Sequence, residues 1–278
     1  MFRKLVKKFK KGVKRLAVNV ADKIDEESIL ELMDLATANI KKKHRKKGDV
    51  LFVYPAEMCK CLRLAYYKYK NEEETVVVCS PTTQAGNIFD RGLKELITDV
   101  CKELKIVRLI RDFPISYVTK YKRYKVVISG SADFASHNAI LELKSSLYKE
   151  LEPNEVDKLQ TGFYTKVMEL NYKRPFDGYI LVFYRNVFYR GIYKLNREEI
   201  ERGFLTVLEN SKKLIDHLRK GIEPEPKPLF WCVSCPLLSS CEEGKKYVKE
   251  VMKRDVNYII SRIKKYEERY KKILDKLE

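Results

Sequence analysis

Histidine is scarce in this chain: three occur in 278 residues, at His44, His137 and His217. Their placement rules out the C-x-x-C…H-x-x-x-H layout of a zinc finger. No apolar run approaches the roughly 18 residues that a membrane-spanning helix needs. Residues 1–20 lack the continuous apolar centre of a secretory signal, so a cytoplasmic protein is expected. Gly/Ser-rich linkers and internal repeats are missing too, and only Glu223–Pro228 holds enough proline to suggest a rigid connection. Acid is the minority sign, with 39 acidic against 57 basic side chains and a net charge of +18. Such an excess points to a nucleic-acid partner, held in a salt-sensitive way. A chain rich in Lys, Ile and Tyr also suits a hot habitat, which accounts for part of that excess.

What is present reads as an α/β core. With 45% apolar content, one large domain or one core with appendages is expected. The patterning predicts a helix over Thr82–Leu104, then strands near Ile106–Val118, Tyr124–Ser129 and Asn138–Leu143. A helix over Asn154–Leu170 follows, with apolar positions at Val156, Leu159, Phe163 and Val167. Strands at Gly178–Tyr184 and Val187–Tyr193 and a helix from about Asn196 to Lys220 complete the core.

The chemistry concentrates in the middle. Asp133 follows the apolar run Val126-Val127-Ile128, past a Gly130-Ser131 break that reads as a bend or bulge. Nine residues on, apolar and polar residues alternate after Ile140, which puts Glu142 and Lys144 on one face of a strand. Two carboxylates at the mouth of a hairpin can hold a hard divalent cation such as Mg2+ or Mn2+, with the Leu143 carbonyl as a further ligand. Such an ion lowers the pKa of bound water and neutralises charge on a scissile phosphate. Lys144 can orient the hydroxide or stabilise the transition state electrostatically. Behind this triplet, Gln160 and Tyr164 are spaced i, i+4 and share a helix face.

The seven cysteines lie at 59, 61, 79, 101, 232, 235 and 241. Three form Cys232-x-x-Cys235-x5-Cys241 in a Pro-punctuated segment, a spacing that suits zinc or an iron–sulfur cluster rather than disulfides. The fourth ligand is then a remote cysteine. Cys79 and Cys101 sit in or beside apolar runs and read as buried small hydrophobes.

Taken together, these residues carry a resemblance. Asp133, Glu142-x-Lys144 and Gln160-x-x-x-Tyr164 resemble motifs II, III and Q-x-x-x-Y of the RecB-like branch of P-D-(D/E)-x-K nucleases. Cys61-Leu62-Arg63-Leu64-Ala65-Tyr66 resembles the C-P-R-x-x-Y motif of the CRISPR-associated Cas-four nucleases and the AddB nuclease domain, with Leu62 in place of proline. The resemblance covers about residues 51–243. It implies a restriction-endonuclease-like core, a central mixed sheet flanked by helices, with an N-terminal helical region and a C-terminal iron–sulfur staple plus long helix. It also implies that Asp133 and Glu142 bind the catalytic metal, and that Gln160 and Tyr164 contact the substrate strand or position Lys144. By the same resemblance Cys61, Cys232, Cys235 and Cys241 hold a [4Fe–4S] cluster, with Cys59 in reserve for Cys61 and a structural Zn2+ as the alternative. The family's usual histidine, in a G-x-x-x-H context, is replaced by Asp90 after Gly86, and a carboxylate there remains a good oxygen ligand for Mg2+ or Mn2+.

The expected activity is therefore Mg2+- or Mn2+-dependent DNA cleavage, directed at single strands or ends, in CRISPR spacer acquisition or in viral or host DNA processing. The alternative is a nucleic-acid-binding subunit of a larger complex with a degenerate site. Basic runs at Lys7–Lys14 and Lys41–Lys47, and the cluster Lys120, Lys122, Arg123 and Lys125, are candidate phosphate contacts. Tyr117, Tyr121 and Tyr124 beside that cluster suit stacking on single-stranded bases. Residues 1–50 read as a basic helical region, whose first turns could face DNA, lie on a membrane surface or serve as a presequence. Residues 244–278 read as one amphipathic helix. Its seam from Val256 to Leu277 either docks on the chain itself or serves self-association or a partner such as a CRISPR adaptation protein.

Overall fold

A run of β-branched and aromatic residues, punctuated by turns, builds a seven-stranded mixed sheet. In the computed structural model its strands are β1 (Lys46–Lys47), β2 (Val50–Val53), β3 (Ile110–Tyr121), β4 (Tyr124–Ala135), β5 (Ala139–Ser146), β6 (Asp177–Tyr184) and β7 (Tyr189–Lys194). The helices are α1 (Pro55–Met58), α2 (Leu62–Lys70), α3 (Pro81–Leu104), α4 (Glu155–Tyr172) and α5 (Arg197–Lys220). The structure describes residues 39–40, 46–47, 49–70, 76–77, 81–104, 109–146, 153–184, 189–229, 232, 235, 237–251 and 253. Residues 1–38, most of Lys41–Lys47, Cys79 and the Val256–Leu277 seam lie outside that set. Among the described residues, no helix is long and apolar enough to cross a membrane.

The sheet is organised around β4. One edge of β4 pairs antiparallel with β3 from Tyr121↔Tyr124 to Ile110↔Ala135. Its other edge is shared. Strand β2 pairs parallel with residues 125–128, and β5 pairs antiparallel only at Phe134↔Leu141 and Ala135↔Ile140. Between those two contacts residues 129–133 meet no strand among the described residues on that edge. Strand β5 leaves β4 there and runs parallel to β6, from Ala139↔Asp177 to Ser146↔Tyr184. The divergence opens a fork, and Asp133 stands in it.

Helices α4 and α5 cover one side. Asn154 caps α4 by accepting from the Asp157 N–H at 3.0 Å. Helix α5 begins with an Asn196/Glu199 capping box and ends at Gly221, whose φ of 68° suits a left-handed cap. The four expected apolar positions of α4, Val156, Leu159, Phe163 and Val167, are all buried. The two helices cross very closely. A Cβ on Gly162 would meet the Glu199 carbonyl at 2.7 Å, and one on Gly203 would meet the Leu159 carbonyl at 2.5 Å. These glycines are there for contact, not for a turn.

The sequence reading of Gly130-Ser131 as a bend is corrected. Strand β4 runs straight through both, with Ile115↔Gly130 and Pro114↔Ser131 in register. The irregularity lies in β3 instead. Asp112 adopts φ 50°, a left-handed conformation that Asp tolerates, and the ladder skips from Arg111↔Phe134 to Phe113↔Ala132.

Candidate functional site

Where the strands part, their unpaired backbone groups are taken up by the two carboxylates. Asp133 Oδ2 accepts from the Leu143 N–H at 2.7 Å. Glu142 Oε1 accepts from the Asp133 N–H at 3.2 Å. Lys144 Nζ donates to Glu142 Oε2 at 3.0 Å and lies 3.8 Å from Asp157 Oδ1. The structure thus brings Asp133, Glu142 and Lys144 together in one fork. Glu142 is only 2% exposed, and burial, with Asp133 nearby, pushes its carboxyl up to about 7 against the pull of Lys144. Burial would lower the Lys144 ammonium, but Glu142, Asp157 and Asp133 outweigh it and hold the group above its ordinary range.

Helix α4 supports the fork from below. Gln160 Nε2 donates to Tyr164 Oη at 3.2 Å, so the pair shares a face as expected. Tyr164 is buried, and its phenol is pushed above the usual range by burial and by Glu142. A Cβ on Gly130 would lie 2.4 Å from Tyr164 Oη. Gly130 is thus the notch in β4 that admits this hydroxyl, a role that a strand glycine can take as readily as a bend. Asp157, which sequence reasoning missed, accepts from Asn154 Nδ2 at 2.6 Å and faces Lys144. Its signal was present: an Asn at the N-cap followed three residues later by an acid.

Asp90 lies on α3, half-buried, with burial raising its carboxyl and Lys94 opposing that rise. Lys94 was not singled out from the sequence. Its ammonium pairs with Asp133 Oδ1, with Asp112 Oδ1 at 3.2 Å and with Asp90 Oδ2 at 3.5 Å. Among the described residues, no three His, Cys, Asp or Glu side chains are spaced to hold a metal ion unaided. Asp133 and Glu142 still suit a Mg2+-like ion, which takes one or two carboxylates and keeps its waters.

A second feature lies around the start of α2. Cys61, Cys232, Cys235 and Cys241 line a single cavity, together with Arg63 and Gly244. Backbone N–H groups of Lys227, Leu229 and Gly244 point at the sulfurs of Cys61, Cys232 and Cys241, at 3.4, 3.4 and 3.3 Å. Arg63 pairs with Glu223, which also accepts from Tyr67 Oη at 2.5 Å, and so ties α2 to the segment before the cysteines. The thiol of Cys235 is raised by burial and by its three neighbours. Cys59 points elsewhere: it is buried in the core, which pushes its thiol up to about 12. Cys101 is half-buried on α3.

The expected stacking surface is reduced by one ring. Tyr124 is buried, Tyr117 packs edge-on against Phe204, and Tyr121 Oη donates to Asp216 at 2.8 Å. Lys122 pairs with Asp216, and Arg123 lies over the Tyr124 ring and 3.5 Å from Asp49. Tyr124 is thereby removed from any stacking surface, while Tyr117 and Tyr121 are only partly buried.

No family model and no curated protein matches the sequence. Among solved structures, the chain is similar to "Crystal structure of SSO0001", with a TM-score of 0.53 and 15% identity over 77% of this chain and 96% of that one. A structure described as a "putative exonuclease" from Eubacterium rectale overlaps less, with a TM-score of 0.33 and 16% identity over 48% of this chain and 53% of that one, too little to bear on the fold. The central mixed sheet flanked by helices is that of a restriction-endonuclease-like core.

The Gly130 notch is directly testable. Gly130→Ala should lower the melting temperature by several degrees, because a methyl group and the Tyr164 hydroxyl cannot share the space, an overpacking cost of about 1–3 kcal/mol. Tyr164→Phe, which removes that hydroxyl, should recover part of the loss in the double variant. Strictly additive losses would show that the two residues do not meet.

Proposed function

We propose that this chain is a Mg2+- or Mn2+-dependent deoxyribonuclease of the RecB-like, Cas-four type, acting on single strands or ends. The observation that carries the proposal is the fork. Two carboxylates and a lysine converge where a sheet edge is open, backed by Gln160 and Tyr164. When bound, a Mg2+ or Mn2+ ion supplies Lewis acidity and a water of lowered pKa. Asp133 and Glu142 would hold the ion, with Asp90 on the neighbouring helix as a further carboxylate. Lys144 neutralises charge as it grows on the phosphate, and Asp157 with Glu142 fixes its position. Buried Tyr164 works as a positioning residue beneath β4, while half-buried Gln160 is the member of the pair open to a DNA strand. The net charge of +18 supplies long-range attraction for that strand.

Removing either charge should cut the activity steeply. Glu142→Ala and Lys144→Ala should each slow Mn2+-dependent cleavage of single-stranded DNA by about 10²–10³-fold, the scale of losing one electrostatic transition-state contact. The circular dichroism spectrum should be retained. Undiminished cleavage by both variants would remove the assignment.

Cys61, Cys232, Cys235 and Cys241 would be the ligands of a [4Fe–4S] cluster, a reading supported by their lining one cavity and by N–H groups directed at three of the sulfurs. Bound there, the cluster would tie α2 to the segment that follows α5. Anaerobically purified protein should be brown, with broad absorbance in the blue. Cys61→Ala should lose the colour, and Cys59→Ala should keep it. Colourless protein with stoichiometric zinc would overturn the cluster, and loss of colour in Cys59→Ala alone would reassign the ligand.

A further inference from the structure

Lys94 occupies an unusual place. Its side chain is 11% exposed, on α3, one helical turn after Asp90. Three carboxylates surround its ammonium, and they come from three different elements: Asp90 on α3, Asp112 on β3 and Asp133 on β4. The contact with Asp133 is the closest of the three, and it falls on Oδ1. The other oxygen, Oδ2, is already engaged by the Leu143 N–H. Of the two oxygens, Oδ1 is the one that a cation can take without sharing the acceptor of the Leu143 N–H, and it is the one that Lys94 holds.

The fold also gives Lys94 somewhere to go. Asp112 is more exposed than its partners, 55% against 15% for Asp133. It stands at the one irregular residue of β3, where the left-handed backbone takes it out of the ladder. Lys94 already reaches both carboxylates, so a small rotation of its side chain trades Asp133 for Asp112.

We propose that Lys94 is a built-in, displaceable occupant of the metal position: its ammonium neutralises the carboxylates before metal binds, and an incoming divalent cation drives it outward onto Asp112. The proposal rests on the metal-dependent reading of the fork. It has two consequences. The metal-free site is stable despite its crowded carboxylates, because the lysine offsets their repulsion. Metal affinity is lowered, because binding must replace a charge-assisted hydrogen bond rather than fill an open site.

The test uses Mn2+ alone, with free ion followed by electron paramagnetic resonance at neutral pH and fixed ionic strength. Lys94→Gln should bind Mn2+ about tenfold or more tightly than the wild type, since a cation within a few ångströms of the ion has been removed. Lys166→Gln is the control for general charge, because Lys166 pairs with Glu169 and Glu201 rather than with Asp90, Asp112 or Asp133. It should change the affinity far less. Equal tightening by both variants, or equal affinity of wild type and Lys94→Gln, overturns the displaceable lysine while leaving the metal reading intact. No Mn2+ binding by either protein overturns both.

A second measurement needs no substitution. Acetylation of the wild type under limiting reagent, read by mass spectrometry, should label Lys94 severalfold faster once Mn2+ is bound, as the amine moves outward. Unchanged labelling of Lys94 at saturating Mn2+ overturns the proposal.

Discussion

Strands β4 and β5 pair through two residues and then separate, and the backbone groups stranded by that separation would be costly if buried unpaired. Asp133 and Glu142 resolve this by reaching across the gap, each accepting an N–H from the opposite strand. The carboxylates that give the site its chemistry are therefore also the clasp that keeps the fork open at a fixed width. Each spends one oxygen on the backbone and keeps the other for a cation. Burying Glu142 is tolerable because Lys144 and the Asp133 N–H meet it. Lys144 in turn is held between Glu142 and Asp157, and Asp157 is fixed by the N-cap of α4. The Gly130 notch and the Tyr164 hydroxyl lock the same helix against the same strand. Architecture and chemistry share one set of contacts.

The cysteine cavity plays a different part. Helix α2 follows β2 and the short α1, whereas Cys232, Cys235 and Cys241 come after α5, far along the chain. Arg63, Glu223 and Tyr67 already draw these distant segments together. A bound cluster would make that closure covalent. It would hold the polypeptide around the fork without contributing to the chemistry within it.

Much of this was legible in the sequence because periodicity reports burial. The stripe Val156, Leu159, Phe163 and Val167 marked the inner face of α4, and alternation after Ile140 put Glu142 and Lys144 on one side of β5. Other features depend on what the chain meets only when folded. A glycine inside a strand signals either a bend or a close approach, and Gly130 was read as the first when it is the second. Asp112 and Lys94 lie on different elements, and nothing local marks them as partners of Asp133. Tyr117, Tyr121 and Tyr124 looked alike beside a basic cluster, yet Tyr124 is buried while Tyr117 and Tyr121 are only partly so. Composition shows how many tyrosines there are, not which of them pack.

The central claim is that the fork binds a divalent metal in order to cut DNA. It is tested most directly by incubating the purified protein with 5′- and 3′-labelled single strands in Mg2+, in Mn2+ and in chelator. Cleavage with either metal, and none in chelator, is the expected result, and the two labels report its polarity. Intact DNA under every metal condition, or cleavage that survives the chelator, would contradict it.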